Sequence, residues 1–483
     1  MLNRHLIAYL PVYLAQALVG FGSVAVFTRI LSPDEYGRYV LILAGASLAA
    51  TLVFTWLDAA VARHHARSDA RGWLPGHLWT AWRLFGGLAL CAGLAASLAI
   101  WLVPMTGELK LAISFAIAST IIRSGLSVAL ETRRAAGQSW RYSLIETFTL
   151  SGGFALGIVF ILAGGLGAAG PFAGLALASV IALAIDAPIL LSKAKRDRAD
   201  ATRAMAFFAY GAPVAVSLIF EHLLSVGDRF VIAAFLGEAA TGAYAAGYGV
   251  ADRSLSIIFL WLGAATGPLM IKALEHHGRA AAQDVGRKTA GLMALIGFPA
   301  AAGLALVAEP AARVLIGPEI ALAAASVMPF IAVSGLMNGI MTHYFHEAFV
   351  LGRRPKVMAG VMLVAAAANL ALNLILIPRL GITGAALSTM LAYGAALVAC
   401  VLIGRRIFVL PVPLGDWARA AIATAAMALA ILALPQLDLA LAELALTVTT
   451  GALVYGALAL ALNIAGCRAF IGQLRLSLME ARA

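Results

Sequence analysis

The chain has 483 residues, 62% of them hydrophobic and only 12% charged, with a mean hydropathy of +0.95. Soluble domains carry about twice that share of charge, and a water-exposed fold this apolar would leave large unprotected patches, so the solvent of this protein is lipid. The net charge of +11 would suit nucleic acid. The basic residues, however, form no continuous domain or binding module, and nucleic acid is excluded as a partner.

Asn3-Arg4-His5 ahead of an apolar run to Ile30 superficially resembles a signal peptide. The run is too long and lacks a small-residue cleavage site, so it is read as the first membrane span. A span needs about 20 apolar residues. Fourteen are read in chain order, at 9–31, 37–62, 78–104, 109–130, 142–165, 171–192, 206–236, 243–271, 289–308, 320–347, 357–378, 383–403, 417–434 and 442–466. Pro435 and Asp438 crowd the connection between the last two. All should be helices, because a segment isolated in hydrocarbon must satisfy its own backbone. The alternation of barrel strands is absent. The expected fold is an all-α polytopic membrane protein.

Lys and Arg alternate from side to side across these spans. With the N-terminus inside, 25 of the 34 fall on the cytoplasmic side, 5 on the opposite side and 4 (Arg83, Arg123, Arg229 and Arg253) within spans. Positive charge collects in cytoplasmic loops, so both termini are expected there. The segment 193–203 is the most charged and reads as a linker. The loops on the other side are too short for a catalytic domain. Cys91, Cys400 and Cys467 form no metal-type pair and no disulfide framework. No GxxxxGK[ST] loop for ATP occurs.

The first hairpin, GFGSVAVFTRILSPDEYGRY at 20–39, recurs as SVGDRFVIAAFLGEAATGAY at 225–244. A constant offset brings Gly22 onto Gly227, Leu31 onto Leu236, Gly37 onto Gly242 and Tyr39 onto Tyr244. The offset crosses six spans, an even number, so the two halves share one orientation, an architecture found in transporters.

At these residues the chain resembles a known family. TRILSPDEYGRY at 28–39, DRFVIAAFLGEAATGAY at 228–244 and NLALNLILIPRLGITGAALST at 369–389 are similar to the polysaccharide flippases of the Wzx type. These belong to the multidrug/oligosaccharidyl-lipid/polysaccharide (MOP, MATE-like) exporter superfamily. The resemblance covers residues 5–405. It implies two parallel six-helix lobes in a V around a central cavity, working by alternating access, plus two C-terminal helices. The corresponding division is 1–195, a linker at 196–205, 206–405, and 406–483 with the last two spans and a cytoplasmic tail. It implies secondary transport, with no enzyme activity and no cofactor, in a bacterial inner membrane. The cargo would be undecaprenyl-diphosphate-linked oligosaccharide, flipped from the cytoplasmic to the periplasmic leaflet for capsule, O-antigen, exopolysaccharide or adhesin assembly. A glycan polymerase and other polysaccharide-assembly proteins would be its partners. Two alternatives stay open: a MATE-like cation or drug antiporter, and a polytopic glycan polymerase or ligase.

Ionisable residues inside a membrane are functional candidates by default. Those near cytoplasmic ends can snorkel or pair locally: Asp58 with Arg63, Glu146 with Arg141, Asp186 with Lys193 and Glu347 with Arg353. On the seventh span, Glu221, His222, Ser225, Asp228 and Arg229 share one arc at about 100° per residue. On the eighth, Gly249, Asp252, Arg253 and Ser256 do the same. Arg123 is the lone charge in the middle of the fourth span, with no obvious local acid. Guanidinium groups hold phosphate oxygens bidentately and stay charged when partly desolvated. Arg123, Arg229 and Arg253 are therefore the candidate diphosphate ligands. The alternative is that Arg229 and Arg253 only neutralise Asp228 and Asp252. Under the repeat, Gln16 falls on Glu221 and Ser23 on Asp228, so an energising H+ or Na+ site would sit in the second half, with Glu221, Asp228 and Asp252 as candidates. Asn369 and Asn373, one turn apart, are expected to hydrogen-bond between helices, and Gln16 to make a polar helix contact. His343 and His346 with HEAFV at 346–350 lack the second histidine of a zincin, so no metal site is expected. His64-His65 and His276-His277 are expected at head groups or solvent.

Overall fold

The computed structural model describes residues 2–192, 194 and 200–469, apart from the side chains of residues 2–7, 217, 221, 264 and 265. Helices account for nearly all of it, and no strand occurs among the described residues. Among the described residues, twelve helices are long and apolar enough to cross a membrane. Two of these are double passes. Gly278 (φ 80°) interrupts Glu238–Leu306, and Gly381 (φ 62°) interrupts Pro355–Arg405. Only glycine takes such left-handed angles without strain, so each turns the chain between two spans. Fourteen passes result, as hydropathy leads one to expect.

The chain divides into two compact units, Met1–Gly242 and Ala243–Ala483. The first holds α1 (Leu2–Ile30), α2 (Pro33–Val53), α3 (Thr55–Ala70), α4 (Leu74–Leu102), α5 (Gly107–Ala135), α6 (Ser139–Leu162), α7 (Gly170–Leu191) and α8 (Ala201–Leu236). The α1–α2 turn is a capping box with Pro33 in the first helical turn: Glu35 N–H donates to Ser32 Oγ (3.3 Å) and Ser32 N–H to Glu35 Oε2 (2.9 Å). A local break at Phe54 separates α2, itself long and apolar enough to cross a membrane, from α3. Helix α6 buries Ser143, Glu146, Thr149, Gly153 and Gly157 at three- and four-residue spacing, one face of a helix. That face meets α7 so closely that a Cβ on Gly174 would overlap the Gly153 and Gly157 backbone. Lipid supplies no hydrophobic drive between helices, so association relies on such backbone proximity.

The sequence places the boundary between halves at 196–205. Packing places it after α8 instead. Residues 196–199 of that segment lie outside the described residues. Phe207 and Ala215 of α8 join a core with Trp56, Leu57, Ala60 and Val61 of α3, Ala81 of α4 and Val128 of α5. A further contact ties the corner after α8 to the start of α2. The backbone of Glu238 lies where a Gly37 Cβ would stand, and a Cβ on Gly242 would come 3.0 Å from Gly37 N. Arg38 bonds to Glu238 (3.0 Å) and to Glu108 (3.2 Å). Of the matched glycines of the repeat, Gly37 and Gly242 thus meet each other.

The second unit holds α9 (Glu238–Leu306, its first turn excepted), α10 (Ala308–Leu315), α11 (Pro318–Ile340), α12 (Glu347–Leu351), α13 (Pro355–Arg405), α14 (Leu414–Leu432) and α15 (Ala440–Leu462). One turn of π-helix, Met341–Phe345, joins α11 to α12. Beyond Gly381, α13 buries every fourth residue: Gly384, Ser388, Ala392, Ala396, Cys400 and Gly404. Helices α14 and α15 pack on each other. They are tied to α9 by bonds from Trp417 Nε1 to Ala290 O (3.0 Å) and from Tyr455 OH to Leu295 O (2.7 Å). Large side chains left outside, such as Leu90, Leu94, Leu98 and Trp101 along α4, are what a lipid-facing surface requires.

Candidate functional site

The central charge of the fourth span is not alone. Arg123 Nη2 donates to Glu146 Oε1 at 2.5 Å, with the carboxylate almost wholly buried. The reading of Arg123 as a residue without a local acid is therefore corrected. Its acid comes from α6, a different helix, and Glu146 is not held by Arg141. The same face of α5 continues through Ser127, whose Oγ donates to Asp58 Oδ2 of α3 (2.8 Å). It then reaches Glu131, paired with Arg134 at 2.6 Å. Asp58 thus turns to a hydroxyl rather than to Arg63. The pattern Arg123, Ser127, Glu131, Arg134 is a helical stripe of the kind recognised on the seventh span, and it was the signal available for this network.

Asp186, expected near Lys193, is fully buried and takes two arginines. Arg133 reaches it through Nε (3.1 Å) and Nη2 (3.0 Å), and Arg141 through Nε (2.9 Å). Glu347 forms no ion pair with Arg353 among the described residues; it packs against Gly267.

On α8, the polar stripe faces protein. His222 Nε2 lies 3.0 Å from Ser47 Oγ of α2, and Arg229 Nη1 donates to Ser225 O at 3.2 Å. Asp228 is 1% exposed. The side chain of Glu221 lies outside the described residues. Arg253 and Asp252 stand on α9 in the second unit. Asp228, Arg229, Asp252 and Arg253 each make an electrostatic or hydrogen-bond contact. In the second unit, Asn373 Nδ2 donates to Asn369 Oδ1 (3.0 Å), and Asn369 Nδ2 lies 3.4 Å from Thr389 Oγ1. This buried chain joins the two arms of α13 across Gly381. Gln16 is exposed on α1 and has no side-chain hydrogen bond among the described residues. The packed side of α1 carries Val12 and Ala15 instead, so the expected polar contact is not made.

Two histidines also differ from expectation. His65 is buried, and His64 stacks on Phe207 at 5.6 Å. Burial lowers both from the ordinary histidine range. His343 packs against Gly263 at the π-turn, and among the described residues no group of His, Cys, Asp and Glu is arranged to hold a metal ion.

A family model described as "Polysaccharide biosynthesis protein" matches residues 26–322. No curated protein sequence matches. Among solved structures, one described as "Lipid II flippase MurJ, inward closed conformation" superposes with a TM-score of 0.77 at 11% identity, covering 95% of this chain and 99% of that one. An inward-facing multidrug resistance MATE family transporter gives 0.67 at 14% identity, covering 81% and 94%. An outward-facing MATE transporter gives 0.58 at 16% identity, covering 83% and 93%. At such identities the likeness is one of fold. The family is one of polysaccharide biosynthesis proteins, and the fold is the one shared by the MurJ and MATE structures. The chain belongs to the polysaccharide biosynthesis protein family and has the membrane fold of the MOP exporters.

Proposed function

We propose that this protein flips a polyprenyl-diphosphate-linked oligosaccharide from the cytoplasmic to the periplasmic leaflet of a bacterial inner membrane, with both termini cytoplasmic. The observation that carries the reading is the pairing of a polysaccharide-biosynthesis family match with an exporter fold. A solved structure of like fold is described as a flippase of lipid II, and the proposal extends that class of cargo to this chain. The candidate ligands for the diphosphate are Arg123 and Arg229 of the first unit and Arg253 of the second, each taken by itself. A guanidinium keeps its charge in a partly desolvated place and presents a fork that fits phosphate. Glycan polymerase and other assembly proteins receive the product.

Coupling to H+ or Na+ runs through Glu221, Asp228 and Asp252. Glu221→Gln then abolishes ion-driven turnover and spares lipid binding; undiminished ion-coupled transport excludes that role. The test of the main reading is translocation of labelled lipid-linked oligosaccharide in proteoliposomes. The wild type is expected to translocate it. Arg229→Ala is expected to slow it by about tenfold or more, the loss of one charge-assisted contact. No translocation by the wild type, with efflux of organic cations instead, would favour the second reading. That reading, a cation antiporter, draws its support from the MATE-like fold.

A further inference from the structure

The turn between α5 and α6 opens into a cavity of about 490 Å³ lined by Arg133, Gln138, Trp140, Arg141 and Ile189 among others. Its floor is built. Arg133 is 2% exposed and is fixed by two bonds to Asp186 and one from Nη1 to Gln138 Oε1 (2.8 Å). Arg141 adds a second guanidinium to the same carboxylate but spends only its Nε there, and its side chain is half-exposed. One buried acid against two arginines leaves an excess positive charge. The first turn of α6 forms the wall and has no side-chain cap, and a helix N-terminus favours negative charge beside it. Trp140 and Ile189 stand out from the rim, both exposed.

Two simpler accounts fall short. A basic loop that merely sets topology needs no buried arginine held in place by three hydrogen bonds. A structural ion pair for Asp186 needs one arginine, and the second adds desolvation cost without need. What fits is an anion supplied from outside. Arginine meets phosphate oxygens bidentately, indole rings settle at head-group depth, and basic pockets between transmembrane helices take lipid head groups.

We propose that this cavity is a phosphate-binding site filled from the bilayer by the head group of an anionic phospholipid. Arg141 and the α6 first turn hold the phosphate, and Trp140 and Ile189 lie along the glycerol and upper acyl chain. The site is separate from the arginines assigned to the cargo, and its test does not depend on transport.

The full chain in detergent is titrated with phosphatidylglycerol, with phosphatidylcholine and with inorganic phosphate, and the thermal midpoint and bound lipid by native mass spectrometry are read. Phosphatidylglycerol is expected to raise the midpoint and remain bound, phosphatidylcholine and inorganic phosphate to do neither at equal concentration. Arg141→Gln is expected to weaken the phosphatidylglycerol response about tenfold. Trp140→Ala, which removes only an exposed rim, weakens it less. Arg353→Gln, in another basic loop, leaves it unchanged. Equal responses to phosphatidylglycerol and phosphatidylcholine overturn the proposal, as does an Arg353→Gln loss matching that of Arg141→Gln. A full response to inorganic phosphate overturns the bilayer as the source.

Discussion

Asp186 shows how charge is managed inside the first unit. It is fully buried, and Arg133 and Arg141 both stand within ion-pair distance of it. Removing one partner of a buried pair leaves the other uncompensated at a cost of about 3–5 kcal/mol. Arg133→Leu should therefore lower the thermal midpoint sharply, whereas Arg133→Met combined with Asp186→Leu should recover much of the loss. A double variant no more stable than the single one would count against this balance. Arg123 and Glu146 follow the same rule. His65 adds a pH dependence. Burial lowers it, so the neutral form is the folded one. Its contribution to stability is complete above the ordinary value of about 6.5 and is lost as pH falls below that toward the lowered folded value. His65→Gln should flatten the acid limb of a stability profile. Little of this was legible in the sequence. Linear reading pairs an acid with a base a few residues away, such as Glu146 with Arg141. The real partners lie 23 to 53 residues apart, on helices whose facing sides only packing decides.

Helices were far more legible than their partners. Apolar length and the side-to-side alternation of Lys and Arg are properties of a line of residues, and they locate fourteen passes without any tertiary knowledge. The seam of α13 carries its own small-residue spacing, so it too can be read. Ser388→Leu on that seam should overpack a site where nothing larger fits, costing about 1–3 kcal/mol, seen as a lower midpoint in detergent. An equally stable variant would mean that the seam tolerates bulk. The placement of α8 was not legible. Hydropathy and a charged linker group it with the helices that follow, but Phe207 and Ala215 bury it among α3, α4 and α5. Its polar stripe turns toward Ser47 of α2, and no one-dimensional pattern names that neighbour.

For the molecule as a whole, the proposed direction of transport has an energetic basis. One negative charge moving outward along an inside-negative potential gains about 2.3 kcal/mol per 100 mV. Collapsing the potential in proteoliposomes with an ionophore should slow translocation of the diphosphate-linked cargo. A rate indifferent to the potential would argue against a net-charged moving species. The repeat was visible in the sequence, but the fact that Gly37 and Gly242 touch was not. That contact has a mechanical meaning. Where α2 begins, bare backbone meets bare backbone, and one guanidinium spans the join to Glu238. The ion pair itself contributes only about 1 kcal/mol. A side chain of any size at Gly37 would meet the Glu238 carbonyl and hold that join apart, so the closeness of the two segments is set by the lack of a single carbon atom.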